Sequence, residues 1–140
     1  MEITANALQT VLENQNVLFT EDAIICGSPS ILHRGGSGLI TLRGITNQCR
    51  ARFKVSFGAN IAIPTGGTVE AISLALSLEG EPIGPTTMII TPAAVENFFN
   101  VSSNIFIDVP KGCCVSVGVK NVSTQEILVQ NANLIVERVA

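Results

Sequence analysis

From Phe53 to Ile63 the chain alternates almost without fault, with Phe53, Val55, Phe57, Ala59, Ile61 and Ile63 on one parity and Lys54, Ser56, Gly58, Asn60 and Ala62 on the other. Successive strand side chains point to opposite faces, so this run predicts a long β-strand with one face in a core and the other towards solvent. Pro64 stops it, Thr65-Gly66-Gly67-Thr68 turns the chain, and a second alternation runs from Thr68 to Leu78. Here Ile72, Leu74, Leu76 and Leu78 oppose Ala71, Ser73, Ala75 and Ser77. Small residues at that spacing admit close approach of another backbone, so Ala71, Ser73, Ala75 and Ser77 form a candidate subunit interface; an exposed Ala/Ser face is the alternative.

The same reading extends along the chain. Strands are expected at Asn16–Thr20, Ile31–Arg34, Leu39–Arg43, Thr86–Thr91, Asn97–Asn100, Asn104–Val109 and Cys113–Lys120, with a strand or pair of strands over Ile127–Val139. Turn residues punctuate them at Gly35-Gly36-Ser37-Gly38, Glu79-Gly80-Glu81-Pro82 and Pro110-Lys111-Gly112. Ala5–Glu13 places Leu8, Val11 and Leu12 at helical spacing but is too short to stand as a helix, so residues 1–15 read as an N-terminal arm and 16–140 as the domain. Roughly eight to ten short strands separated by turns describe an all-β sandwich, jelly roll or barrel.

Composition adds the question of assembly. Only 14% of residues are charged, with a net charge of -3, while 46% are hydrophobic; soluble domains average roughly 25% charged. A membrane helix needs about 20 consecutive apolar residues, and no stretch supplies them. Met1-Glu2-Ile3-Thr4 begins neither a basic nor an apolar leader, so synthesis as a cytosolic chain is expected. Homo-oligomer interfaces are more apolar than ordinary surface, and oligomerisation is the expected reason for so few charges.

Catalytic chemistry is sparse. His33 is the one histidine and sits in an apolar Ile31-Leu32 segment, where it reads as a structural residue. Cys26, Cys49, Cys113 and Cys114 have no C-x-x-C spacing and no second histidine, which argues against zinc, and cytosolic synthesis favours free thiols over a disulfide. Cys113 and Cys114, being adjacent, should face opposite ways, with one able to join the core. Arg50, Arg52 and Lys54 make a short basic stripe on a solvent parity, but negative net charge and the lack of Trp and Tyr weigh against nucleic acid and carbohydrate stacking. Asp22, Glu70, Glu79, Glu81 and Glu96 fall at turns and strand ends as solubilising charges. Gly35–Gly38 and Gly66-Gly67 lack the Lys-Ser/Thr of a phosphate loop, and Asn100-Val101-Ser102 and Asn121-Val122-Ser123 match the glycosylation pattern by coincidence in a cytosolic chain. No cofactor is implied and no enzyme is expected.

Four segments carry a resemblance: Asn47-Gln48-Cys49-Arg50-Ala51-Arg52-Phe53, Ile61-Ala62-Ile63-Pro64-Thr65-Gly66-Gly67-Thr68, Val109-Pro110-Lys111-Gly112-Cys113-Cys114 and Val129-Gln130-Asn131-Ala132-Asn133-Leu134-Ile135-Val136. Together they resemble small bacteriophage structural proteins with a C1q/TNF-like trimeric jelly-roll domain, also similar to the C-terminal domain of collagen-like spore-surface glycoproteins. The resemblance implies an antiparallel jelly-roll sandwich packed around a threefold axis through apolar faces, with end loops free to touch other proteins. It further implies a non-enzymatic virion component, a capsid decoration or fibre-like element, with partners in itself as a homotrimer and in virion proteins such as the major capsid protein. Neither nucleic acid nor membrane is expected as a partner. A trimeric surface module binding a host protein or glycan is the alternative.

Overall fold

In a computed structural model, which describes residues 1–22 and 29–140, the alternating runs become two antiparallel sheets. Twelve strands stand among the described residues: β1 (Glu2–Ala5), β2 (Gln9–Val11), β3 (Glu21–Asp22), β4 (Ile31–His33), β5 (Leu39–Arg43), β6 (Arg50–Ala62), β7 (Ile72–Leu78), β8 (Glu81–Pro82), β9 (Met88–Ile90), β10 (Phe99–Pro110), β11 (Cys114–Asn121) and β12 (Ile127–Arg138). The first sheet runs β10-β6-β12-β1-β3, with β2 also on β12; the second runs β4-β5-β11-β7-β8, with β9 also on β7. The count exceeds the expected eight to ten because pieces of two and three residues, such as β3 and β8, are too short to leave an alternation in the sequence.

The core lies between the sheets. All six residues predicted from the Phe53–Ile63 parity are buried, and Ile72, Leu74 and Leu76 meet them from β7. Fully burying a Phe, Leu or Ile side chain is worth ~1.5–3 kcal/mol, so this one-sided pattern fixes the strand's register against slippage. Phe19 closes the core edge-on to Phe57, with centroids 6.3 Å apart and planes at 85°. Only Asn16 of the expected Asn16–Thr20 strand forms a bridge, to Lys120; Val17 is tied by its amide to the Val119 carbonyl at 2.8 Å. This segment runs so close to Gly38 that a Cβ there would lie 2.8 Å from the Val17 carbonyl oxygen.

Other boundaries moved for local reasons. Residues 1–15, expected as an arm, supply β1 and β2, because Ile3, Ala5 and Val11 reach the core while Leu8 and Leu12 stay exposed. The Thr86–Thr91 strand begins as a 3-10 turn over Gly84–Thr86, whose buried Thr86 hydroxyl accepts from the Leu76 amide at 3.0 Å and donates to the Ile83 carbonyl at 2.6 Å. The two strands expected between Asn97 and Val109 are one, β10, in continuous register with β6.

Strand β12 carries the main irregularity. Gln130 pairs with Asn60 and Asn133 with Gly58, so Asn131 and Ala132 together oppose the single residue Ala59. Such a bulge inserts one residue and bends the strand. Asn131 takes φ 56°, the left-handed region that asparagine tolerates better than most residues. Inward parity therefore switches from Ile127 and Val129 to Ala132, Leu134 and Val136, all buried. At the same point β12 passes from pairing with β2 to pairing with β1.

Candidate functional site

The face of the first sheet turned away from the core divides into two chemically distinct halves. At one end Arg50 and Arg52 of β6 approach Asp108 of β10, with Arg50 Nη1 2.7 Å and Arg52 Nε 3.6 Å from the same carboxylate oxygen. The Arg52 guanidinium also lies 4.5 Å from the centre of the Phe106 ring, a cation–π contact. These groups are partly exposed, so the ion pairs contribute little to stability, ~0–1 kcal/mol. Asp108 thus answers two members of the basic stripe read from the sequence, Arg50 and Arg52, while Lys54 stands in register opposite Glu137 of β12.

The other end carries amides. Asn100 of β10 donates from Nδ2 to Asn60 Oδ1 at 3.2 Å, Asn60 donates to Asn131 Oδ1 at 3.1 Å, and Asn131 donates to Asn6 Oδ1 at 2.7 Å. Four carboxamides are therefore linked head to tail from β10 through β6 and β12 to the residue after β1. Asn133 lies on the same face, its Oδ1 3.1 Å from where a Cβ on Gly58 would stand. The bulge creates this arrangement, since it lets Gln130 and Asn131 both face outward. The loop that carries Asn6 also walls a cavity of about 180 Å³ lined by Ala5, Ala7, Leu8, Gln9, Leu18 and Thr20. Gln9 holds one side of it rigid by clamping the Leu18 backbone, with Nε2 to the carbonyl at 2.9 Å and the amide to Oε1 at 3.0 Å.

The residues singled out in the sequence fall elsewhere. Within one protomer Ala75 is 0% and Ser77 1% exposed. Lys120, opposite Ala75, reaches with its ammonium to the Gly80 carbonyl at 3.1 Å. Ala71 is exposed and Ser73 half-buried, so these two retain surface to give to a neighbour. His33 donates from Nε2 to the Ser37 carbonyl at 2.9 Å and holds the glycine-rich turn. Cys49, Cys113 and Cys114 are free thiols, all exposed, so neither of the adjacent pair joins the core; Cys26 lies outside the described residues. Loop 44–49 and the β10–β11 turn bring them to one end of the sandwich through the bonds Gly44 N to Cys113 O at 2.8 Å and Lys111 N to Cys49 O at 3.0 Å.

Carboxylates and glycines serve turns. Glu70 accepts from the Thr124 hydroxyl at 2.8 Å and from Gln125 Nε2 at 3.1 Å, and Glu96 accepts from the Thr65 hydroxyl at 2.9 Å. In the Gly66-Gly67 turn the Thr68 amide is taken by Gln125 Oε1 at 3.0 Å, an internal acceptor where a phosphate loop would present the group to a ligand. Among the described residues, no three of His, Cys, Asp and Glu stand close enough to hold a metal ion.

No family model matches the chain, and no curated protein does. Among solved structures, the globular domain of zebrafish complement 1qA protein is similar over 96% of this chain and 93% of its own, at 14% identity and a TM-score of 0.61. The sugar-binding EclA C-terminal domain covers 76% of this chain and 81% of its own, at 11% identity and a TM-score of 0.36. A family 35 carbohydrate-binding module from Clostridium thermocellum covers 96% and 98%, at 10% identity and a TM-score of 0.38. The fold is that of the first of these, a C1q-like jelly roll.

Proposed function

We propose that this chain is a non-enzymatic structural protein that assembles as a homotrimer and serves as a capsid decoration or fibre-like component of a bacteriophage particle. The observation that carries the reading is an apolar flank on the open side of the sandwich. Strand β10 is the terminal strand of the first sheet and β9 packs beside it from the second. Around this edge Ile89 (64%), Phe99, Phe98 and Val95 are exposed, and Phe106 (51%) stands on the adjoining outer face of the first sheet. Exposed apolar side chains that gather about one sheet edge are the kind that mark a contact surface. At twelve residues β10 is also a long open edge, with Asp108 its one charged residue, whereas natural edges are usually short or charged. Covering this flank with a neighbour answers both exposures, and a head-to-tail contact whose rotation is a third of a turn closes into a trimeric ring. Exposed Leu8 and Leu12 in the segment 1–15 supply a second apolar contact for docking onto a shell.

Light scattering at micromolar concentration tests assembly: the expected mass is three times the 14.7 kDa chain. The double variant Ile89→Glu with Phe106→Ser should fall to monomers while keeping its β-sheet circular dichroism. A monodisperse wild-type monomer overturns the trimer. Cosedimentation with empty capsids containing the major capsid protein tests the role, and loss of that association in Leu8→Ser with Leu12→Ser is the expected result.

A further inference from the structure

The amide half of the first sheet's outer face has no part in that assembly reading, and its chemistry differs from that of the flank. Asparagine is depleted in strands because its side chain competes for backbone hydrogen bonds and packs poorly on a pleated surface. Here Asn60, Asn100, Asn131 and Asn133 stand on three neighbouring strands of one face, and none of them contributes to the core. One of them, Asn131, is held at φ 56° in a bulge. Bulges recur beside binding and active sites, where they re-aim a side chain.

We infer that this amide surface binds a neutral saccharide chain by hydrogen bonds to its hydroxyls, a mode that does without the aromatic stacking for which the chain has neither Trp nor Tyr. A carboxamide has two donor and two acceptor positions. In the head-to-tail ladder the two middle members, Asn60 and Asn131, each use one of either kind and keep the rest. Strands lie about 4.8 Å apart, so the ladder presents paired donor and acceptor groups in a row ~14 Å long. A sugar hydroxyl is likewise donor and acceptor at once, and a row of that length matches an oligosaccharide better than a single ring. The ladder residues carry no ionisable group, and a carboxylate bonded to the amide face, that of Glu2 at 3.5 Å from Asn133 Nδ2, disfavours an anion, which together favour an uncharged ligand. Beyond the Asn6 end, the cavity lined by Ala5, Ala7 and Leu18 offers apolar surface for the C–H face of a ring or an acetamido methyl group. A subunit interface is the weaker use of these amides, because burying them against apolar side chains would leave their spare donors and acceptors unpaired.

The test is a titration of the ¹⁵N-labelled full chain with neutral oligosaccharides of glucose, mannose, xylose and N-acetylglucosamine, each to millimolar concentration. At least one should shift the side-chain amide signals of Asn60 and Asn131 in a saturable way. Asn60→Asp, which keeps the shape but removes the donor and adds a charge, should weaken that binding about tenfold, as should Asn100→Ala at the exposed end of the ladder. Absence of a saturable shift with every probe overturns the inference, as does binding that both variants leave unchanged. Light scattering on the same samples separates this from assembly. A trimer that binds no saccharide sinks the inference alone, a monomer that binds one sinks the trimer alone, and loss of trimer mass in Asn60→Asp reassigns the face to a subunit contact.

Discussion

Asn121 should be worth about 3 kcal/mol to this fold, although the sequence marks it only as the last residue of β11, after Lys120. Its side chain is fully buried and donates from Nδ2 to the carbonyls of Val11 at 3.0 Å, Gln125 at 3.0 Å and, more weakly, Leu12 at 3.3 Å. Its Oδ1 accepts from the Ser123 amide at 2.9 Å. One carboxamide thereby ties the end of β2, the end of β11 and the turn before β12. Replacing it with alanine removes three good hydrogen bonds, each worth ~0.5–1.5 kcal/mol net, which together make about 3 kcal/mol. Leu12 is exposed, so its carbonyl recovers a water and is discounted. With a urea slope of ~2 kcal/mol/M, a loss of about 3 kcal/mol lowers the denaturation midpoint by ~1.5 M, measured at fixed chain concentration so that association does not enter. Asn121→Leu keeps the volume and should lose nearly as much, since polar satisfaction rather than packing is at stake. A fall below ~0.5 M in Asn121→Ala, or full recovery in Asn121→Leu, would refute the reasoning.

Two further perturbations test the backbone. Asn131→Val should lower stability by ~1–2 kcal/mol, because a β-branched side chain opposes the left-handed conformation at φ 56°, whereas Asn131→Gly should be near neutral; equal melting temperatures for the two would show that the bulge is unstrained. Gly44→Ala should unfold the chain or prevent its soluble expression, since the new Cβ would sit 2.2 Å from the Pro110 carbonyl oxygen, while Gly84→Ala, with nothing within 4 Å, should match wild type in a thermal melt.

Period-two patterns were legible wherever one face is buried and the other wet, which is why β5 and the inward parity of β6 follow directly from the sequence. Legibility failed where a residue's environment comes from a distant part of the chain. Leu8, Val11 and Leu12 have helical spacing, yet Val11 alone is buried, because β12 recruits that segment as a strand. Small residues on β7 announce that something lies close, but Ala75 and Ser77 cannot say whether the cover is another subunit or the same chain, and it is in good part the same chain. Asn121 belongs to a glycosylation pattern as a sequence and to a buried hub as a structure, with a carboxamide wholly out of reach of any modifying enzyme.

The break in alternation at Gln130–Asn133 and the density of asparagine on one face are a single construction. Had β12 continued without a bulge, Val129 inward would have put Asn131 and Asn133 inward as well, and would have turned Leu134 and Val136 to solvent. The core forbids this, since two buried amides without partners would cost several kcal/mol and two large apolar side chains would leave the interior. The inserted residue resolves the conflict by keeping Ala132, Leu134 and Val136 inside while placing Gln130 and Asn131 side by side outside. Because both flanks of the bulge remain locked to β6, the Asn131 carboxamide is positioned by the sheet itself. A group held on a rigid strand keeps its geometry more closely than one on a loop, as a hydrogen-bonding surface requires. The same reasoning makes removal of one residue at this point, Asn131 itself, a sharper perturbation than any substitution there: it restores simple pairing opposite Ala59 and breaks the ladder between Asn60 and Asn6.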